Sequence, residues 1–136
     1  MPTVKLDSGM RFVAETARGH TFAMDASEEG GGANSGPSPV EVMLSSLAGC
    51  SGMDVIAILR RMRTEPSRLE VEVSGERAEE KPRPFTHIHL IYVVVGDVPE
   101  ANVRKAIDLS LSKYCPVANT LNGVAEITSE IRMASD

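Results

Sequence analysis

Apolar and polar positions change rhythm along this chain, and each rhythm predicts a different element. Met10–Thr16 and His20–Asp25 alternate in short runs on either side of Ala17-Arg18-Gly19, which predicts two strands joined as a hairpin. Glu28–Ser38, EEGGGANSGPS, then breaks all periodicity and predicts a flexible loop. Its glycines do not make a phosphate cradle, because no Gly-Lys-Ser/Thr follows and the dinucleotide-binding spacing is absent. At Ser38-Pro39-Val40-Glu41 a helix begins, with Ser at the N-cap, Pro in the first turn and Glu placed to close a capping box. No proline follows before Arg63, so one helix of roughly 35–40 Å is predicted over Ser38–Arg63. Val42, Met43, Leu44, Leu47, Val55, Ile56, Ile58, Leu59 and Met62 occupy nearly every side of it. A helix apolar all round is normally covered on all sides. One small domain has too little chain to do that alone, so a second copy is expected to help cover it.

Beyond Pro66 the period of two returns. Leu69, Val71 and Val73 alternate with Glu70 and Glu72, a strand with one wet face. Phe85–Val95 (FTHIHLIYVVV) is apolar on both faces in part and predicts a central strand, reached through Lys81-Pro82-Arg83-Pro84. Pro99-Glu100 opens a second helix, with Val103, Ala106, Ile107, Ser110, Leu111 and Tyr114 on one stripe. Pro116 interrupts it, a short helix Pro116–Leu121 follows, and Asn122-Gly123 ends that. Ile127, Ser129, Ile131 and Met133 alternate with charged or polar neighbours in a last strand. No repeat and no second domain is visible, so residues 1–136 read as one domain of class α+β, an antiparallel sheet with a long central helix.

Composition narrows the functions. With 42% apolar and 24% charged residues the chain is an ordinary globular one, and its net charge of −5 offers no electrostatic footprint for nucleic acid or an anionic membrane. The N-terminus has no apolar h-region, and no stretch looks long and apolar enough to span a bilayer, so a cytoplasmic protein without membrane contact is expected. No cofactor motif appears. The two cysteines, Cys50 and Cys115, are too few for a closed zinc site, and in a reducing compartment a structural disulfide is not expected. They are therefore either inert core thiols or reactive groups.

Cys115 precedes a proline suited to the first turn of a helix, so its thiol is expected at the N-cap, where backbone N–H groups favour a thiolate and lower the pKa. Lys113 and Arg104 are candidates to add positive potential. Cys50 lies mid-helix among apolar residues, which disfavours its thiolate unless a cation comes from elsewhere, and Arg11 is one candidate. Taken alone, Cys50 reads as structural. Gly49 and Gly52 beside it each cost about 1 kcal/mol in a helix interior. Close helix packing or room for a substrate would account for them equally. His87 and His89 share a strand face but lack a third metal ligand, Glu41 is explained as a cap, and Asp54 one turn past Cys50 would oppose a thiolate.

Three segments carry a resemblance. Gly36-Pro37-Ser38-Pro39-Val40-Glu41, Leu44-Ser45-Ser46-Leu47-Ala48-Gly49-Cys50 and Lys113-Tyr114-Cys115-Pro116-Val117 resemble the OsmC/Ohr family, with elements in the same order along the whole chain. The resemblance implies an intertwined homodimer with the cysteine-bearing helices central and the sites at the interface. It implies cysteine-based reduction of organic hydroperoxides in oxidative-stress defence, with Cys50 peroxidatic, Cys115 resolving and Arg11 as the assisting cation. A dithiol reductant such as a lipoylated protein would restore the pair. The apolar wall around Cys50 favours an alkyl hydroperoxide over hydrogen peroxide. The chain departs from the family's hydroperoxide reductases at Val40, which stands where they carry a Glu after the helix-opening Pro, with Glu41 one place later and turned by about 100°. The alternative expectation is a non-catalytic dimeric protein of the same fold that binds a small apolar or thiol-containing ligand. A purely structural cysteine pair is the third.

Overall fold

The computed structural model describes residues 1–135, which form two compact units, Met1–Met43 and Leu44 onward. In the first unit β1 (Thr3–Ser8), β2 (Arg11–Glu15) and β3 (Thr21–Met24) make an antiparallel meander in that order. The hairpin β2–β3 stands where alternation predicts it. β1 is an addition to the expected set, carried by Val4 and Leu6 alternating with Lys5 and Asp7. The register pairs Leu6 with Phe12, Phe12 with Met24 and Ala14 with Phe22, so one sheet face is apolar across all three strands. Much of that face is open, with Leu6 59% and Phe22 44% exposed.

The glycine-rich loop after β3 is better held than its composition suggests. The buried Asp25 carboxylate accepts from Ala26 N (2.8 Å), Ala33 N (3.2 Å), Ser35 N (3.0 Å) and Ser35 Oγ (2.7 Å). These donors hold its pKa down at about 2, the Ser35 hydroxyl contributing most. Of the consecutive glycines Gly31 has a φ of +90°, and a Cβ at Gly32 would strike the Ala26 carbonyl and the Asp25 carboxylate. The helix start expected at Ser38 is built as a capping box, with Glu41 N donating to Ser38 Oγ (3.2 Å) and Ser38 N to Glu41 Oε2 (3.0 Å).

That start opens α1 (Pro39–Arg61), two residues shorter at its end than predicted. Contrary to the expectation from sequence, α1 is long and apolar enough to cross a bilayer by length and composition. Leu47, Ala48, Ser51, Val55, Ile58 and Leu59 bury one side of it in the second unit's core, the behaviour of a core helix. Gly49, Met53 and Ala57 are exposed, Met53 by 73%. Within the single chain, then, α1 is covered on one side, not all round.

The second unit's sheet runs β4 (Arg68–Arg77), β5 (Phe85–Val95), β6 (Glu126–Ala134), with β5 central as its sequence predicts. β4 pairs with β5 antiparallel, and β6 joins β5 in parallel, so the sheet has one parallel edge. Parallel neighbours need a long crossover. Here it is α2 (Glu100–Leu109), a π-helical turn over Ser110–Tyr114, and α3 (Pro116–Leu121). Ile88, Leu90, Tyr92 and Val94 on the inward side of β5 meet Val103, Ala106 and Ile107 of α2 and the buried side of α1 in one core.

Candidate active site

Both cysteines belong to this second unit, and the fold brings them together. Cys50 is half-buried on α1, Cys115 is fully buried, both are free thiols, and Cys50 is a close enough neighbour to raise the Cys115 pKa. Cys115 stands at the N-cap of α3, as the Cys-Pro pair predicts, and its Sγ accepts from Ala118 N at 3.3 Å. The expected consequence does not follow. Burial pushes the Cys115 thiol up to about 11, with the neighbouring Cys50 adding to the rise. The backbone N–H groups of Ala118 and Val117 at the helix start contribute less than the loss of water around a sulfur anion costs. Nor do the expected cations help: Lys113 lies over the Tyr114 ring, 5.4 Å from its centre, and Arg104 bonds Ser129 Oγ (2.9 Å) and pairs with Asp108 (3.6 Å).

The stripe predicted to run helically to Tyr114 does so with a widened last turn. Cys115 N donates to Ser110 O at 2.7 Å, five residues back, instead of to Leu111. The Leu111 carbonyl accepts from Asn119 Nδ2 (3.3 Å), which also bonds Cys115 O (2.8 Å). Thus the turn that carries Cys115 is stapled from the following helix.

Next to the thiols lies a polar chain that sequence reasoning did not single out. Ser51 Oγ is 2.6 Å from Tyr92 Oη and 2.8 Å from Ser110 Oγ, and Ser110 Oγ donates to Asp54 Oδ2 at 2.9 Å. Burial raises the Tyr92 phenol to about 12. The available signal was a hydroxyl inside each of three apolar stripes, on α1, on β5 and along the run from α2 into the π-helical turn. Asp54, read from the sequence as opposing a thiolate at Cys50, is the accepting end of this chain.

Arg11 lies in the first unit, where Nη1 donates to Ser35 O and Ser35 Oγ (3.0 Å each) and Nε pairs with Asp7 (3.2 Å). Glu41 is engaged in the capping box and Val40 is half-buried. His87 Nε2 and His89 Nδ1 both contact Thr128 Oγ1 at 2.7 Å, and His89 Nε2 reaches Glu130 at 3.2 Å, so the two rings are satisfied by the sheet. Among the described residues no group of three or more His, Cys, Asp or Glu side chains could hold a metal ion.

With two thiols apposed between a long helix and the start of a short one, comparison with known proteins becomes specific. The OsmC-like protein family model matches residues 31–130, a span that includes both cysteines and excludes Arg11. The chain belongs to the OsmC-like family. Protein YhfA of Escherichia coli strain K12 is 43% identical to it over 126 residues, 92% of this chain and 91% of that one. A solved structure of a hypothetical protein from Aquifex aeolicus superposes with a TM-score of 0.82 at 29% identity, covering 98% of this chain and 96% of that one. The organic hydroperoxide resistance protein OhrB of Bacillus subtilis shares the fold at a TM-score of 0.70 and 14% identity, covering 97% of this chain and 98% of the other. The α+β class read from the sequence is therefore the family's.

Proposed function

We propose that the chain is a cysteine-based hydroperoxide reductase in which Cys50 reacts with the peroxide and Cys115 resolves the product. The observation that carries this reading is the apposition of a half-buried Cys50 and a fully buried Cys115. The Cys50 sulfur attacks one peroxide oxygen, the O–O bond breaks, and the alcohol leaves with the proton that Cys50 gave up. Cys115 then attacks the Cys50 sulfur of the sulfenic acid. An S–S bond forms, the S–O bond breaks, and hydroxide leaves as water with the Cys115 proton. An external dithiol reduces the disulfide by two exchanges and is itself oxidised. A thiol held as high as Cys115 does not compete for peroxide, which suits it to the second step and not the first. Arg11 is the assisting cation in this reading.

A homodimer is part of the same proposal, acting in the cytoplasm on organic hydroperoxides. Gly49 supports the dimer: a Cβ there would meet nothing within 4 Å, so packing inside the chain does not explain this helix glycine. The exposed stripe of Gly49, Met53 and Ala57 on α1 and the open apolar face of β1–β3 are the surfaces such a partner would cover. The alternative, a non-catalytic protein binding a small apolar ligand, draws on a cavity of about 500 Å³ in the first unit, lined by Val4, Met10, Phe12 and Met24 among others. Sulfenic-acid trapping after peroxide separates the two. The Cys115→Ser protein should trap at Cys50, and Cys50→Ser should not trap at all. Absence of trapping in both leaves the binding reading.

A further inference from the structure

The hydroxyls beside the thiol pair have a fixed direction that proton counting gives. Ser110 spends its single hydroxyl proton on the Asp54 carboxylate (2.9 Å). In the contact between Ser51 and Ser110 (2.8 Å) Ser51 must therefore be the donor, and in that between Ser51 and Tyr92 (2.6 Å) Tyr92 must be. The chain runs Tyr92 to Ser51 to Ser110 to Asp54, every donor used and an anion at its end. Ser51 and Ser110 are completely buried. On α1, Ser51 directly follows Cys50 and Asp54 lies one turn past it. Ser110 is the first residue of the π-helical turn, and its carbonyl accepts from Cys115 N at 2.7 Å. Ser110 is thus bonded by its side chain to the helix bearing Cys50 and by its backbone to Cys115.

We propose that Ser110 is a positioning residue for the thiol pair: with Tyr92, Ser51 and Asp54 it clamps the turn before Cys115 to α1 and so sets how readily the Cys50–Cys115 disulfide forms. This rests on the paired-thiol reading above, though not on peroxide being the oxidant. A rigid clamp raises the effective concentration of one thiol at the other, because the geometry is fixed before the bond forms. Its chemical expression is the exchange with oxidised glutathione, in which both protein thiols are oxidised to a disulfide and two glutathione thiols are released.

The test is the equilibrium constant for that exchange, measured by mass spectrometry across glutathione redox buffers. Ser110→Ala should lower the constant severalfold, up to a ceiling of about tenfold set by the full worth of one buried hydrogen bond to a charged group, and Ser110→Thr, which restores the hydroxyl, should recover most of it. A role in general stability alone would affect reduced and oxidised protein equally and leave the constant unmoved. Should Ser110→Ala not fold, Asp54→Asn at the half-buried end keeps an acceptor for Ser110 and should give a fall of about threefold through loss of the charge. A wild-type constant in the folded variants overturns the clamp. Failure of the wild-type protein to form the disulfide in any buffer removes the paired-thiol reading, and the clamp with it.

Discussion

Cys115 should be a slow thiol, and how slow follows from its surroundings. Its pKa rises from 9.0 to about 11, a change of two units, so at pH 8 it holds about 100-fold less thiolate than an ordinary cysteine. A more basic thiolate is also a better nucleophile, which recovers about eightfold for two units at the usual Brønsted slope. The net expectation is alkylation about tenfold slower than the unfolded chain, before any shielding by the fold. Cys50→Ser keeps burial, the largest cause of the shift, and leaves Cys115 as the single thiol. Iodoacetamide labelling of that protein from pH 7 to 11, followed by intact mass and compared with the same protein in urea, gives the ratio. The rate should still be climbing at pH 10. Labelling at pH 8 as fast in the fold as in urea would show that the Ala118 N–H outweighs burial and refute the reasoning. The same shift has a sign for stability. A thiol raised on folding contributes fully below pH 9.0, and its contribution is lost as pH rises through about 11.

Asp25 works in the opposite sense. Its pKa falls from 3.8 to about 2 on folding, so its contribution is present above pH 3.8 and is lost as pH falls through about 2. Urea midpoints measured down that range should drop in the wild-type protein and stay flatter in Asp25→Asn; parallel curves would contradict the carboxylate's role in the loop. Met53→Glu changes a side chain 73% exposed in the single chain, so it should leave the fold intact and break the proposed homodimer. Sedimentation at low micromolar concentration checks this, and an unaffected dimer would move the interface away from this side of α1.

Much of the framework was legible because it rests on local rules. Ser38, Pro39 and Glu41 start a helix by satisfying its first N–H groups, and Cys115-Pro116 with Asn122-Gly123 bounds α3 at the residues predicted. The central place of β5 followed from its two-sided apolar pattern. β1 was harder, since only Val4 and Leu6 carry the alternation and their face is largely open. The parallel pairing of β6 was hidden because its period-two pattern is the same for either direction. The loop at Glu28–Ser38 looked flexible since its order depends on Asp25, a residue outside the glycine-rich run. At the site, the two cysteines were visible by motif, and the N-cap position of Cys115 by its proline. The direction of its pKa was not legible, because dipole and desolvation oppose each other, and only the burial of the folded state decides which is larger. Ser51, Tyr92 and Ser110 are distant in sequence, on three elements, and nothing local says that their hydroxyls meet.

The most direct test of the central claim counts thiols after one equivalent of cumene hydroperoxide is added to the reduced protein. The account predicts loss of both thiols and a product lighter by about two mass units, an intramolecular Cys50–Cys115 disulfide. Two free thiols after prolonged exposure would contradict it.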